Sequence, residues 1–212
     1  MPVICGIALV LCFFLQPLFA QVSTPTRTKT LVFLGDSLTA GFGLQSTEAF
    51  PALIAEKVRA AGLPFEVQNA GLSGDTSAGA LRRVDWLLQR PMDVLVIELG
   101  GNDGLRGLPV KSLKENLQQI IDKAKARNPT LKIVIAGMQI PPNLGADYAT
   151  DFARVFAELA RENKAVLIPF LLEGVGGHRD LNQQDMIHPT AAGHRIVADL
   201  VWRTLEPILR KG

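Results

Sequence analysis

Five short segments, separated by stretches of helical periodicity, narrow the folds open to this chain more than any other feature. Four of them are runs of branched and aromatic apolar residues, and one, 65–71, reads as a strand with polar residues interleaved. The segments are residues 31–35, 65–71, 93–99, 131–137 and 165–170, and the strongest is Asp93-Val-Leu-Val-Ile-Glu98-Leu99. Runs this short, bounded by glycine, proline or polar residues, read as buried strands. Helices are expected between and after them. One spans 49–61 and is closed by Gly62 and Pro64, and one spans about 77–89 and is ended by Pro91. A third lies behind Ser112-Leu-Lys-Glu115, which has capping-box spacing, with Leu113, Leu117, Ile120, Ile121 and Ala124 on one face. A fourth carries Phe152, Val155, Phe156 and Leu159 on one side, and the last runs from 191 to about 209, interrupted near its end by Pro207. The segments 100–104, rich in glycine, and 139–148, which holds Pro141 and Pro142, are expected to be irregular loops.

Strands alternating with helices imply a parallel sheet covered on both faces. With right-handed crossovers the expected fold is α/β, a three-layer αβα sandwich on a five-stranded parallel sheet, in the flavodoxin-like order 2-1-3-4-5. At 212 residues, 48% hydrophobic and 20% charged, the chain suits a single domain, residues 30–212, with a full core. A net charge of +2, with no long basic run, argues against nucleic acid as a partner.

Residues 1–20 are of another kind. From Val3 to Ala20 they carry no charge and are rich in Leu, Ile, Val and Phe, and a polar segment, 21–29, follows. This reads as a secretory signal peptide cleaved after Ala20, with an uncleaved membrane anchor as the alternative. Cys5 and Cys12 both fall inside it, so the mature domain has neither a disulfide nor a cysteine nucleophile. Export without cysteines fits a periplasmic or secreted protein.

In a parallel sheet, loops that follow strands emerge on one edge, where open α/β sheets bind ligands. Ser37 follows strand one, Gly74 strand two, Asn102 strand three, and Asp185 and His188 strand five. Position alone leaves Ser37 as either a nucleophile or a helix N-cap. The other loops favour the nucleophile, because together they hold what acyl transfer needs. A serine hydroxyl requires a base to take its proton, and an imidazole, with a reference pKa of about 6.5, serves near neutrality. Asp185, three residues before His188, can hold the ring in the right tautomer. The backbone N–H groups of Ser37 and Gly74 and the side-chain amide of Asn102 can form an oxyanion hole. Asp36, Asp75 and Asp103 read as structural acids, His178 and His194 as surface or packing residues, and Trp86 and Trp202 as packing against the sheet or its rim. Residues 104–109 are either a plain strand-to-helix connector or a lid in which Leu105 and Leu108 touch an acyl chain and bind substrate.

Gly35-Asp36-Ser37-Leu38, Gly74 within Ser-Gly-Asp-Thr, Gly101-Asn102-Asp103 and Asp185-x-x-His188 resemble the four sequence blocks of the SGNH (GDSL) hydrolases, in the family's order and across nearly the whole mature chain. Residues 98–107 and 137–140 are similar to the bacterial periplasmic thioesterase, lysophospholipase and arylesterase group. The Gly-x-Ser-x-Gly elbow of α/β-hydrolases is absent around Ser37. The resemblance implies a serine hydrolase cleaving carboxylic esters and thioesters (acyl-CoA, lysophospholipid or aryl esters) through an acyl-enzyme on Ser37, with no cofactor and no metal. The expected partners are a small acyl ester and, transiently, membrane lipid, and the expected state is a monomer. The alternatives are a carbohydrate O-deacetylase on the same scaffold, a non-catalytic lipid- or glycan-binding domain, and a metal hydrolase using Asp36, Asp103, Asp185 and His188. The last lacks a tight ligand spacing and a second histidine.

Overall fold

The computed structural model describes residues 27–211; the expected signal peptide and most of the polar segment after it lie outside these. Five strands form one parallel sheet in the order β2-β1-β3-β4-β5. They are β1 (Lys29–Gly35), β2 (Phe65–Gly71), β3 (Val94–Glu98), β4 (Lys132–Ala136) and β5 (Val166–Ile168). The central strands β1 and β3 are buried on both faces, which is why they read as continuous apolar runs rather than as an alternation. Among the described residues seven helices follow: α1 (Ser37–Ala40), α2 (Phe50–Ala60), α3 (Ser77–Leu87), α4 (Gly101–Leu105), α5 (Val110–Arg127), α6 (Ala146–Asn163) and α7 (Ala191–Lys211). The helix contacts split into an α2–α7 pair and an α3–α5–α6 row, one group for each face of the sheet. The expected α/β sandwich and strand order are therefore found. No helix among the described residues is long and apolar enough to cross a membrane.

Register sets the height of the site. Gly35 at the end of β1 pairs with Gly71 of β2 and with Glu98 of β3, so three strands end at one level. The segments leaving that level carry Ser37, at the start of α1, Gly74, in a loop, and Asn102, in α4.

Several local expectations are corrected. The glycine-rich stretch after β3 is not a loop but α4, entered through Gly100 at φ 111°. Its glycines permit close packing: a Cβ on Gly104 would lie 2.6 Å from Ile140 Cγ2 and 2.8 Å from Phe152. Ser112 and Glu115 form no capping box, because α5 starts two residues earlier at Val110, after Pro109. The segment 139–148 contains a 3-10 turn at Pro142–Leu144, and α6 begins within it at Ala146. Pro207 does not interrupt α7, since Leu205 and Leu209 are buried on either side and hold the last turn down. Trp86 packs on neither the sheet nor its rim: it is 66% exposed on α3, with the Arg90 guanidinium 6.0 Å from its ring centroid. His194, by contrast, is a packing residue, one of the two expected alternatives. It is buried in α7, stacked on Phe50, whose N–H donates to its Nδ1 at 3.1 Å.

Two predictions concern α7. Gly193 lies where a Cβ would fall on the Leu181 carbonyl oxygen and 2.8 Å from Pro189 Cβ. Alanine, normally a gain of ~1 kcal/mol over glycine inside a helix, should instead lower Tm here, with an overpacking cost of about 1–3 kcal/mol. It should also lower kcat, because Pro189 adjoins His188; thermal melts and esterase assays of Gly193→Ala check both. The second rests on His194. Burial, and then the neighbouring His188 charge, push its pKa down to about 4. Between its ordinary 6.5 and 4 the unfolded chain takes up a proton that the folded chain refuses, so acidification through that window lowers stability by roughly 2–3 kcal/mol. Tm measured across it should fall less steeply in His194→Gln than in wild type, a comparison that subtracts the other titrating groups.

Candidate active site

The turn after β1 is held from beneath by a buried carboxyl group. Glu98, at the end of β3, accepts at Oε2 from Thr39 Oγ1 (2.7 Å), Thr39 N (3.2 Å) and Asp36 N (3.3 Å). Asp36, not Ser37, caps α1, accepting from Leu38 N at 3.0 Å. Ser37 is thus the first residue of the helix, where a backbone N–H has no partner within the helix. Its side chain is free for another purpose.

His188 meets it. Ser37 Oγ lies 2.9 Å from His188 Nε2, although 151 residues separate the two. His188 Nδ1 lies 2.7 Å from Asp185 Oδ2. With the Asp185 carboxylate accepting at Nδ1, the proton sits on that nitrogen and leaves Nε2 free to accept from the serine hydroxyl. Asp185 Oδ1 accepts from the N–H groups of Ile187 (2.9 Å) and His188 (3.0 Å), so one four-residue loop orients both the acid and the ring. Phe42 backs the imidazole, with ring centroids 4.6 Å apart, and Gln183 Nε2 donates to the Phe42 carbonyl at 2.7 Å.

On the other side of Ser37 stands the amide of Asn102, in α4. Its Nδ2 donates to Asp36 Oδ2 at 3.2 Å. Gly74, at φ 80°, is joined to Asn102 by Arg106, whose Nη2 donates to the Gly74 carbonyl (3.1 Å) and to Asn102 Oδ1 (3.3 Å). The remaining acids are braces. Asp75 pairs with Arg83 at 2.7 Å, and Arg83 donates to the Gly35 carbonyl at 3.0 Å. Asp103 accepts from the backbone and side chain of Ser77, tying α4 to the start of α3.

A cavity of about 460 Å³ opens beside Ser37 and His188. Its apolar wall includes Leu38, Leu105, Met138, Ile140, Phe170 and Leu172. Leu105 is at the cavity as expected, and Leu108 is not. The turn after α4 carries Leu108 back toward α6, where its carbonyl accepts from Tyr148 Oη at 2.7 Å.

The carboxyls diverge. Burial opposes ionisation of Asp185, but the bonds from His188 N, the His188 ring and Ile187 N outweigh it and bring its pKa down to about 2. Asp36 is buried more deeply, and desolvation raises it to about 6 despite the bonds from Leu38 N and the Asn102 amide. Burial, then the nearby Asp36 charge, push Glu98 well up. The carboxylate beside the imidazole therefore stays ionised, as an orienting acid must. Glu98 and Arg106 were not singled out in the sequence, although a lone acid in an apolar strand and an arginine four residues after Asn102 were there to be read.

Residues 33–196 match the model of the GDSL-like lipase/acylhydrolase family. The chain is 43% identical over 182 residues to an esterase, TesA, of Pseudomonas aeruginosa, covering 85% of this chain and 90% of the relative. It is 37% identical, again over 182 residues and 85% of each chain, to thioesterase 1/protease 1/lysophospholipase L1 of Escherichia coli. Among solved structures it superposes with a TM-score of 0.80 on the psychrotrophic esterase EstA of a Pseudoalteromonas species, solved inhibited by monoethylphosphonate; that match is 36% identical and covers 86% of this chain and 99% of the other. The chain belongs to the GDSL-like lipase/acylhydrolase family and is a hydrolase of carboxylic esters and thioesters.

Proposed function

We propose that Ser37 is the nucleophile, His188 the general base and acid, and Asp185 the residue that orients it, with the N–H groups of Ser37 and Gly74 and the Asn102 amide as the oxyanion hole. The observation that carries this reading is the continuous Ser37–His188–Asp185 contact, 2.9 and 2.7 Å, at the mouth of an apolar cavity. Ser37 Oγ attacks the acyl carbon as its proton passes to His188 Nε2. The tetrahedral oxyanion collapses, the C–O or C–S bond breaks, and His188 returns the proton to the departing alcohol or thiol. Water then attacks the acyl-enzyme, giving its proton to His188, and the carboxylic acid leaves as Ser37 regains its hydrogen.

The substrates are acyl-CoA, lysophospholipid or aryl esters. The acyl chain lies along Leu105, Ile140 and Phe170. Phe42, Leu72, Leu105, Leu144, Met186 and Ile187 are all exposed, and each of the five loops at the active edge contributes at least one. An apolar rim around a polar catalytic centre favours transient contact with membrane lipid, from which an acyl substrate can enter. Every residue of the site comes from one chain, so a monomer is complete. Residues 1–20 act as an export signal, on the strength of their charge-free apolar run, and place the enzyme in the periplasm or outside the cell.

Acyl-CoA, lysophospholipid and aryl esters assayed in parallel should show activity that falls at least about 10⁴-fold in Ser37→Ala. A fluorophosphonate probe should label wild type and not the variant. Equal rates, or equal labelling, would remove the mechanism. On p-nitrophenyl esters of increasing chain length, Leu105→Ala should lower kcat/KM for long chains by roughly 10-fold relative to short ones, the loss of part of one leucine contact. An unchanged ratio would take Leu105 out of the acyl site.

A further inference from the structure

We propose that Arg106 is a positioning residue that locks the oxyanion hole, a reading that rests on the hydrolase mechanism above. Asn102 can serve an oxyanion only with its NH₂ end toward the substrate, and its amide could in principle sit either way round. Its two ends have partners of opposite character. At Oδ1 stands Arg106 Nη2, which can only donate; at Nδ2 stands Asp36 Oδ2, which accepts. A flipped amide would face donor to donor at one end and acceptor to acceptor at the other. Fixed as it is, the amide uses one Nδ2 hydrogen on Asp36 and keeps the second for the oxyanion.

The same Nη2 also donates to the Gly74 carbonyl. One guanidinium therefore spans the two loops that carry two of the three oxyanion donors, those after β2 and β3. Arg106 is the C-cap residue of α4, four positions after Asn102, so the short helix itself aims the side chain back at the amide. The nitrogen that bridges is exposed, which makes orientation rather than electric field its contribution, since solvent screens a surface charge. Lysine is no substitute: a compact ammonium on a flexible stem lacks the planar fork that presents donors in a fixed direction.

The test uses the whole enzyme and a short, uncharged ester, p-nitrophenyl butyrate. Arg106→Ala should keep its Tm and KM and lose about 10-fold in kcat, less than the ~10²–10³-fold expected from removing a donor outright. Arg106→Lys should recover only part of the loss, and millimolar guanidinium added to Arg106→Ala should raise kcat. In an Asn102→Ala background the Arg106→Ala change should cost clearly less than it does in wild type. An unchanged kcat would overturn the proposal, and so would an equal fold-loss in both backgrounds. A loss confined to KM for acyl-CoA would also overturn it and make Arg106 a contact for an anionic leaving group. Fluorophosphonate labelling of Ser37 in the same preparations reports on the mechanism beneath: labelled wild type with a fully active Arg106→Ala defeats this proposal alone, whereas unlabelled wild type defeats the mechanism.

Discussion

The site depends on one buried carboxyl group. Glu98 closes β3 with an acid in the middle of an apolar core, and its Oε2 takes three hydrogen bonds from the turn that carries Ser37. Two of the three come from main-chain N–H groups, so the contact fixes the path of the chain rather than the pose of a side chain. Gly35 makes room for it, since a Cβ there would fall on Thr39 Oγ1 and lie 2.7 Å from Glu98 Oε2. Burying such a group is costly unless it is well bonded. What it secures is a nucleophile whose position is set by the neighbouring strand and not by its own flexible loop.

From that fixed point the remaining groups are assembled by topology. Parallel strands whose C-terminal ends lie in register deliver the segments that follow them to one edge, and those segments are then tied to one another by acids that take no part in proton transfer: Asp36 to Asn102, Asp75 to Arg83, Asp103 to Ser77. Acids of one chemical type thus do opposite work according to depth. Asp185, half-exposed and richly bonded, is held ionised beside the imidazole; Asp36, almost wholly buried, is pulled toward its neutral form while it anchors an amide.

The fold was legible because its signals are local and repeated. Most strands announced themselves by apolar residues and a closing glycine or polar loop, and right-handed crossovers make them a doubly wound sandwich, of which 2-1-3-4-5 is one common strand order. Ser37, Asn102, Asp185 and His188 stood in loops that the topology brings to one place. The misreadings have a common cause: a residue's local habit overridden by what it packs against. Glycine at 100, 101 and 104 signals a loop, yet Gly104 lets α4 approach Phe152. Ser112 and Glu115 match a capping box, but Pro109 starts the helix before they can act. Leu108 and Leu105 look equivalent in sequence, and only the turn between them sends one to the cavity and the other toward Tyr148. With α4 unseen, the four-residue spacing from Asn102 to Arg106 carried no meaning.

One tight turn holds both Asp185 and His188. Because both side chains hang from a single tight turn, closed by Asp185 bonding to the next amides, acid and imidazole travel as one rigid cassette. Strain entering through Gln183, or through Pro189 where it meets Gly193, would shift the pair together and leave their mutual bond intact. Damage would then register at a single gap, the one to the serine. Such an enzyme loses engagement between two otherwise undisturbed halves, rather than decaying contact by contact.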